Sequence, residues 1–133
     1  MSFAPLAAAI IACTAPSVHD GDTLRCGAER IRLFGVDAPE VRRGSTPAEP
    51  FAYEARDELL RLTRGRVGCR PVDRDRYGRT VAKCWSSASP DINAALIRSG
   101  YATEYRRYSK GLYAKPEAEA KAAQRGVWAK PAG

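Results

Sequence analysis

Hydrophobic and polar residues alternate in the first third of the chain with the two-residue period of half-buried β-strands. Ile31 and Leu33 alternate there with Arg30 and Arg32, so one face of that segment is predicted to enter the core. A basic hairpin is expected later in the chain. The five predicted strands are 12–18, 23–26, 29–36, 67–73 and 79–85.

Helical spacing of apolar residues predicts a first helix over about 52–62, where such residues recur every three or four positions. Thr46 and Glu49 resemble a capping box before this helix. Two further helices are predicted at 91–100 and 116–126, each ended by a glycine. The order of three strands, a helix, two strands and two helices indicates an α+β fold. Five strands fit an OB-type barrel completed by helices.

The length of 133 residues suits one domain, expected over 1–133 with a core at about 10–129. Residues 1–9 are then either the remnant of a signal segment or a cloning-derived extension. With 44% hydrophobic and 28% charged residues the chain is expected to fold, and no stretch has the length of a transmembrane helix. A single histidine excludes two-histidine hydrolases and His–His zinc sites, which leaves carboxylates, arginines and backbone groups as candidate chemistry.

Basic residues are concentrated in two segments of a chain whose net charge is +7. Residues 61–83 hold eight basic and two acidic side chains, and residues 98–133 hold eight basic and three acidic ones. Lys and Arg displace the counterions condensed on a phosphate backbone, so this distribution favours a polyanionic partner. A solvated basic surface without such a partner explains the charge equally well.

Four cysteines lack the two-residue gap of a zinc knuckle or a redox motif. Each close pair flanks a predicted turn, so among three connectivities we expect Cys13–Cys26 and Cys69–Cys84 disulfides. Disulfides indicate an oxidising compartment, and hence a secreted or periplasmic protein. Four free, buried thiols in a cytosolic protein are the alternative.

Acidic residues form two short motifs near predicted strand ends. In the segment 19–23 (His-Asp-Gly-Asp-Thr), two carboxylates flank a glycine and can face one hard cation, although the segment alone fits a plain hairpin turn better. In the segment 37–40 (Asp-Ala-Pro-Glu), the proline keeps the preceding residue extended and separates the two acids. One acid can then bind a cation while the other acts on a water. An exposed acidic strand end is the alternative for this second motif.

A third motif, the segment 73–79 (Asp-Arg-Asp-Arg-Tyr-Gly-Arg), is predicted to form the turn of the basic hairpin. Tyr77 and Arg79 would lie close to its tip. The planar guanidinium of arginine fits phosphate oxygens and stays charged at any relevant pH. A ladder of surface charges is the alternative interpretation.

Taken in order, the three motifs resemble those of the staphylococcal nuclease (thermonuclease) family. The similarity continues through 91–100 (Asp-Ile-Asn-Ala-Ala-Leu-Ile-Arg-Ser-Gly) and ends with 126–128 (Gly-Val-Trp), so it covers about residues 16–129. The resemblance implies a five-stranded OB-type barrel with three helices. It also implies a Ca²⁺-dependent, sugar-nonspecific nuclease that cleaves DNA and RNA to 3′-phosphate ends.

The resemblance further implies roles for individual residues. The oxygen ligands and close support expected around a Ca²⁺ ion are Asp22, Asp37, the Ala38 carbonyl and Asp20. Glu40 would orient or deprotonate the attacking water. Arg32 and Arg79 would grip the scissile phosphate, and Arg79 would also assist the leaving oxygen. Tyr77 would contact a nucleotide phosphate.

A tyrosine-rich stretch follows the second predicted helix, where the family contacts its substrate. The residues that correspond here are Tyr105, Arg106, Arg107 and Tyr108. Aromatic and basic side chains of this kind can stack bases without sequence preference. Tyr113 is expected to contact substrate as well, and Tyr101 to lie in the core.

Two other functions fit the same residues. The first is a nucleic-acid-binding OB-type module that does not cleave its ligand. The second is a secreted interaction domain stabilised by disulfides, for which the basic hairpin would be incidental. A pure binding module has no need to retain Arg32, Glu40 and Arg79 together with both ligand acids, so we favour the nuclease. We expect a monomer without an obligate protein partner.

Overall fold

The computed structural model describes residues 9–130, so the predicted extension at 1–9 lies almost entirely outside the described residues. The strands in this part of the chain are β1 (Ile11–Cys13), β2 (Ser17–Asp20), β3 (Thr23–Cys26), β4 (Glu29–Leu33), β5 (Val36–Asp37), β6 (Val67–Arg74), β7 (Thr80–Ser86) and β8 (Thr103–Glu104). The helices are α1 (Ala52–Leu62), α2 (Ile92–Arg98), α3 (Arg106–Ser109), α4 (Ala114–Ala122) and a 3₁₀ turn at Gly126–Trp128.

Six strands form one curled mixed sheet in the order β1-β6-β7-β4-β3-β2, and β5 pairs with β8 in a separate two-stranded sheet. All neighbours in the large sheet are antiparallel except β4 and β7, which run parallel. A disulfide between Cys13 and Cys26 joins edge strand β1 to β3, which lies next to the opposite edge. The sheet must therefore curl until its two edges approach each other.

The architecture is α+β as predicted, but the described part of the chain has a six-stranded sheet, a two-stranded sheet and four α-helices in place of the expected five strands and three helices. The predicted strand 12–18 is interrupted at 14–16, so β1 pairs with β6 while β2 pairs with β3. Pro16 lies in this interruption, and proline cannot donate a hydrogen bond to a ladder. The predicted strand 29–36 is also divided, at Gly35, whose φ of 72° is incompatible with an extended strand.

The capping box predicted at Thr46 and Glu49 is wrong. Helix α1 starts later, after Phe51, whose φ is 70° and which makes no side-chain cap. The backbone of Thr46 instead bridges Arg43, and the Glu49 carboxylate accepts a hydrogen bond from the Glu40 N–H. Glu49 therefore organises a loop rather than a helix terminus.

The core lies between the apolar face of the curled sheet and helices α1 and α2. Its largest fully buried side chains include Leu24, Ile31, Leu33, Leu59, Ile92, Leu96 and Ile97. Full burial of each such side chain contributes about 1.5–3 kcal/mol. The Cys69–Cys84 disulfide, predicted from sequence, joins residues directly opposite each other on β6 and β7.

Asn93 is a polar residue buried in this core. Its amide donates to the carbonyls of Phe34 and Ala82, and its oxygen accepts from the Cys84 N–H. All of these partners are backbone groups, so α2 is held directly on β7 and on the segment that links β4 to β5.

In residues 9–130 no helix has the length and apolar character needed to cross a membrane.

Candidate active site

A cleft of about 1220 Å³ lies against the polar face of β2, β3 and β4. It brings together eight of the residues predicted from the sequence motifs. These are Asp20, Asp22, Arg32, Asp37, Ala38, Glu40, Tyr77 and Arg79. The three separate motifs therefore share one site, although Asp22 and Arg79 are 57 positions apart in the chain.

Asp22 is buried and lies beneath the loop that follows β5. Its Oδ2 accepts a hydrogen bond of 2.8 Å from the Ala38 N–H and lies 3.2 Å from Nη1 of Arg32. The Thr23 hydroxyl donates to Oδ1 at 3.0 Å. Burial raises the pKa of Asp22 above its ordinary value, and the Arg32 charge together with the two hydrogen bonds opposes that rise only in part.

Gly21 explains how this turn approaches helix α1 so closely. A Cβ atom at this position would lie 2.6 Å from the Ala55 Cβ and 3.0 Å from the Ala38 Cβ. Ala55 is fully buried, so it has no room to move away. A side chain at position 21 would therefore push the Asp20–Asp22 turn away from the loop with which it forms the site.

Asp20 is buried next to the same loop. Its Oδ1 accepts a hydrogen bond of 2.9 Å from the Val41 N–H, and its Oδ2 lies 3.7 Å from Nη2 of Arg43. The exposed His19 imidazole lies 4.0 Å from the same oxygen. The geometry thus gives Asp20 a structural task, since it connects the β2–β3 turn to the segment that carries Glu40.

Glu40 is about half exposed and faces the cleft. Its Oε1 lies 3.0 Å from Nη2 of Arg43. Its backbone is held on both sides by Glu49, whose carboxylate accepts from the Glu40 N–H at 2.6 Å and whose own N–H donates to the Glu40 carbonyl at 2.9 Å. Neither Arg43 nor Glu49 was predicted to serve the site, because both contacts depend on the conformation of the 41–50 loop.

Arg32 lies on β4 with its side chain largely covered. Its Nη1 donates to the Val36 carbonyl at 2.5 Å and approaches Asp22. Because a guanidinium has five N–H groups, others remain for an anion in the cleft. Asp37 follows Val36 on β5 and is exposed. It lies opposite Thr103 of β8.

Arg79 is held by Asp75, a residue of the third motif for which no role was predicted. The Arg79 Nε donates to Asp75 Oδ2 at 2.7 Å, and the backbone N–H groups of Arg79 and Tyr77 donate to Oδ1 at 2.9 and 3.0 Å. Partial burial raises the pKa of Asp75, but these hydrogen bonds and the Arg79 charge outweigh it and hold the pKa below its ordinary value. The Arg79 guanidinium also lies 5.5 Å from the exposed Tyr77 ring.

The tyrosine-rich stretch lies outside the walls of the cleft. Tyr105 and Tyr108 are exposed, with their rings edge to face at 5.1 Å, and Arg106 and Arg107 are exposed between them. Substrate contact at these four residues stays a prediction. For Tyr113 the expectation of substrate contact was wrong, because this side chain is only 4% exposed, and its burial raises the pKa of the phenol.

Two buried carboxylates support this stretch and were not predicted. The Glu104 Oε2 accepts from the Ser109 hydroxyl and from the Tyr113 N–H, while Glu117 Oε2 accepts from the Glu104 N–H at 2.8 Å. Arg106 lies 3.6 Å from Glu104 and 3.7 Å from Glu117. Each acid has basic or polar residues close to it in the sequence, so no local pattern indicates that it is buried or that both face one turn.

A divalent cation can be tested against the donors in the cleft. Within residues 9–130, no three Asp, Glu, His or Cys side chains converge as a metal-binding group. Asp22, Asp37 and the Ala38 backbone nevertheless line the same cleft and offer hard oxygen donors. Ca²⁺ prefers such oxygens and accepts water in its remaining positions, so this donor set fits a cation held by few protein ligands.

A comparison with protein families decides the ancestry of this fold and site. The model described as staphylococcal nuclease homologue matches residues 30–130. The chain belongs to the staphylococcal nuclease homologue family. The matched range includes Arg32, the Asp37–Glu40 loop and Arg79, so it contains two of the three motifs that meet in the cleft.

Curated relatives of this staphylococcal nuclease homologue include proteins from bacteria and fungi. The succinoglycan biosynthesis protein ExoI of Rhizobium meliloti is 37% identical over 119 residues, which cover 84% of this chain and 62% of that protein. The probable endonuclease LCL3 of Schizophyllum commune is 36% identical over 117 residues, and that of Candida dubliniensis is 37% identical over 109 residues. These two matches include 75% and 74% of this chain, but only 40% and 46% of the length of the respective relatives.

Proposed function

We propose that the protein is a Ca²⁺-dependent nuclease that hydrolyses the phosphodiester bonds of DNA and RNA and leaves 3′-phosphate ends. The observation that supports this most directly is the shared cleft, where Arg32 and Arg79 face the same space as Glu40 and two candidate ligand acids. Family membership and the relatives named as probable endonucleases support hydrolysis of nucleic acid.

The two arginines would bind the scissile phosphate. Each is oriented by a carboxylate, Arg32 by Asp22 and Arg79 by Asp75, and each keeps N–H groups for the cleft. A guanidinium can hold two phosphate oxygens at once and stays charged as negative charge grows on phosphorus. Removing one oriented donor of this kind typically costs about 3–4 kcal/mol of transition-state stabilisation.

Glu40 would act on the attacking water. Its exposed carboxylate is restrained by Arg43, and Glu49 holds its backbone, so it is placed without being buried. The water oxygen attacks phosphorus and its proton passes to Glu40. The bond from phosphorus to the 5′ oxygen breaks with the Arg79 charge beside it, and the 5′ oxygen takes a proton from solvent, which leaves a 5′ hydroxyl and a phosphate on the 3′ side. Asp22, Asp37 and Ala38 would hold the Ca²⁺ ion, which supplies further charge stabilisation when bound.

Substrate would extend beyond the scissile phosphate onto aromatic and basic side chains. Tyr77 lies on the cleft wall, and Tyr105, Tyr108, Arg106 and Arg107 form an exposed surface outside it. Two disulfides are compatible with secretion or a periplasmic location, which we propose together with a monomeric state.

Digestion of denatured DNA and of RNA tests the proposal. The parent protein should cut both substrates in Ca²⁺ and stop when a chelator is added. Glu40→Gln should lower turnover by orders of magnitude while Ca²⁺ and nucleotide binding are largely retained. Glu54→Gln removes an exposed acid on α1 outside the cleft and should behave like the parent.

The alternative of a non-catalytic binding module predicts another result from the same experiment. Such a protein would be retained on DNA in a salt-sensitive manner without cutting it in Ca²⁺. Equal turnover of Glu40→Gln and Glu54→Gln would remove Glu40 from the mechanism. If the protein neither cuts nor binds nucleic acid, the remaining alternative is an interaction domain stabilised by disulfides.

A further inference from the structure

The polar face of β3 and β4 carries more arginine than the proposed chemistry uses. Residues of one strand alternate between its two faces, and here Leu24, Ile31 and Leu33 enter the core. The opposite face lines the cleft with Thr23, Arg25, Arg30 and Arg32. Only Arg32 among these three arginines has a role in the proposed hydrolysis.

Arg25 and Arg30 are direct partners in the β3–β4 register. Side chains that face each other in this way have Cβ atoms about 4.5–5.5 Å apart, and like charges so placed destabilise a sheet. Both residues line the cleft that holds Arg32 and Arg79. The strand pair thus tolerates a repulsion at the border of the candidate active site.

Neither arginine of this pair is neutralised by a carboxylate of residues 9–130. Arg32 is paired with Asp22, but Arg30 donates to the neutral Tyr77 carbonyl, and Arg25 is exposed without an ion pair in the described chain. Two positive charges therefore point into a cleft with no negative partner from the protein. An anion from outside is the partner that would satisfy them.

The spacing indicates which anion. Arg30 and Arg32 are two residues apart on one strand, and two residues advance about 6.6–6.8 Å along a β-strand. This separation is comparable to that between successive phosphates of an extended single strand of nucleic acid. Since Arg32 would hold the scissile phosphate, Arg30 and Arg25 lie where the next phosphate of the same strand would pass.

We propose that Arg25 and Arg30 form a second phosphate subsite, which engages a phosphodiester adjacent to the scissile one in a single-stranded polynucleotide. This inference rests on the proposed nuclease function and deepens it, because it makes the substrate a strand of several nucleotides. The Arg30 contact with Tyr77 would also tie this subsite to the hairpin turn that presents Arg79.

Binding of short and long strands tests the subsite. In a Glu40→Gln background with Ca²⁺, fluorescence anisotropy would compare two- and eight-nucleotide DNA strands. Arg25→Gln should weaken binding of the longer strand by about 3–10-fold at low salt and reduce its salt slope by about 0.7. The loss for the shorter strand should be clearly smaller, because that strand has no phosphate for the second subsite.

Arg70→Gln is a matched control. Arg70 is an exposed strand arginine opposite Lys83 on β6 and β7, so its removal relieves a like-charged pair of the same kind outside the cleft. Both variants should keep or raise the urea midpoint of the parent, and only Arg25→Gln should lose length-dependent affinity. An equal loss for Arg25→Gln and Arg70→Gln, or an equal loss for the two strands with Arg25→Gln, would overturn the subsite.

The outcomes also separate this proposal from the nuclease itself. A length-dependent Arg25 effect in a protein that binds but never cleaves supports the subsite and refutes the nuclease. Cleavage by a protein in which Arg25→Gln has no effect on binding supports the nuclease and refutes the subsite. A parent protein that binds neither strand refutes both.

Discussion

The Asp75–Arg79 contact allows a sharp test of how the hairpin turn serves catalysis. In Asp75→Asn the retained Oδ1 can still accept from the backbone N–H groups of Tyr77 and Arg79. The other oxygen becomes an NH₂ group that faces Nε of Arg79, so a 2.7 Å charged hydrogen bond is replaced by two donors in opposition. The substitution therefore removes one interaction and leaves the turn otherwise intact.

The stability cost follows from that hydrogen bond. Bonds to charged groups contribute about 1.5–3 kcal/mol, and both side chains are about one quarter exposed, which screens the interaction. We expect Asp75→Asn to lower the free energy of unfolding by about 1–2 kcal/mol. Because the folded pKa of Asp75 lies below its ordinary value of 3.8, the stabilisation is complete above that value and is lost as pH falls through the folded pKa. The difference between parent and variant should thus be constant above about pH 5 and shrink in acid.

The effect on activity should be larger than a change in stability alone explains. Arg79→Ala removes the whole guanidinium and should lower kcat/KM by about 10²–10³-fold. Asp75→Asn keeps the guanidinium but not its orientation, so we expect a fall of about 10–100-fold. In the Arg79→Ala background the same change should cost little more, because Asp75 then has no guanidinium to orient.

The assay is kcat/KM for a short DNA substrate, together with urea unfolding from pH 3 to pH 8. Asp73→Asn is the control, since the Asp73 carboxylate is exposed and, among residues 9–130, accepts only from the neighbouring Arg74 N–H. Full activity in Asp75→Asn, or losses that simply add in the double variant, would refute the idea that Asp75 acts through Arg79.

Three further predictions concern the rest of the chain. Arg107→Ala should reduce the salt slope of single-strand binding by about 0.7 and leave stability unchanged. Arg106→Ala should lower the free energy of unfolding by about 1 kcal/mol, because Arg106 lies beside the buried carboxylates of Glu104 and Glu117. The loss is no larger because the Arg106 side chain is largely exposed and solvent screens its charge. Salt titrations of binding and urea unfolding of each variant check this pair. Replacing Cys69 and Cys84 by alanine should cost about 3 kcal/mol by urea unfolding, as expected for a bridge that closes a loop of 15 residues. Iodoacetamide should label no cysteine of the unfolded parent before reduction and all four afterwards.

The parts of the fold that depend on local patterns could be predicted from the sequence. The alternation in the predicted strand 29–36 appears as β4 over its first five residues, and the helix predicted at 91–100 is α2, for which the Asp91 carboxylate caps the N-terminus by accepting from the Ala94 N–H. The division of the predicted strand 12–18 into β1 and β2 could not be predicted, because it depends on the pairing of β1 with β6, more than fifty residues away in the chain. Pro16 was nevertheless a visible warning against one continuous strand.

The site divides in the same way. The residues proposed to act on phosphate, Arg32, Glu40 and Arg79, belong to short motifs that can be seen in the sequence, and the structure places all three in one cleft. The groups that orient them, Asp75 and Arg43, act through the shape of a turn and a loop that the sequence does not reveal. Tyr113 shows the opposite error, since a tyrosine-rich composition suggested contact with substrate while packing beside α4 buries it.

The acids of the first motif hold a loop in addition to the cation role proposed for them, and this affects how their substitution should be interpreted. Asp20 accepts from the Val41 N–H and Asp22 from the Ala38 N–H, so both hold the loop that carries Glu40 at the site. Loss of activity on removing either acid would follow from a displaced Glu40 as readily as from a lost Ca²⁺ ligand. Asp37 is exposed and its carboxylate has no such contact in the described chain, so it is the acid whose substitution reports on cation binding with the least structural disturbance.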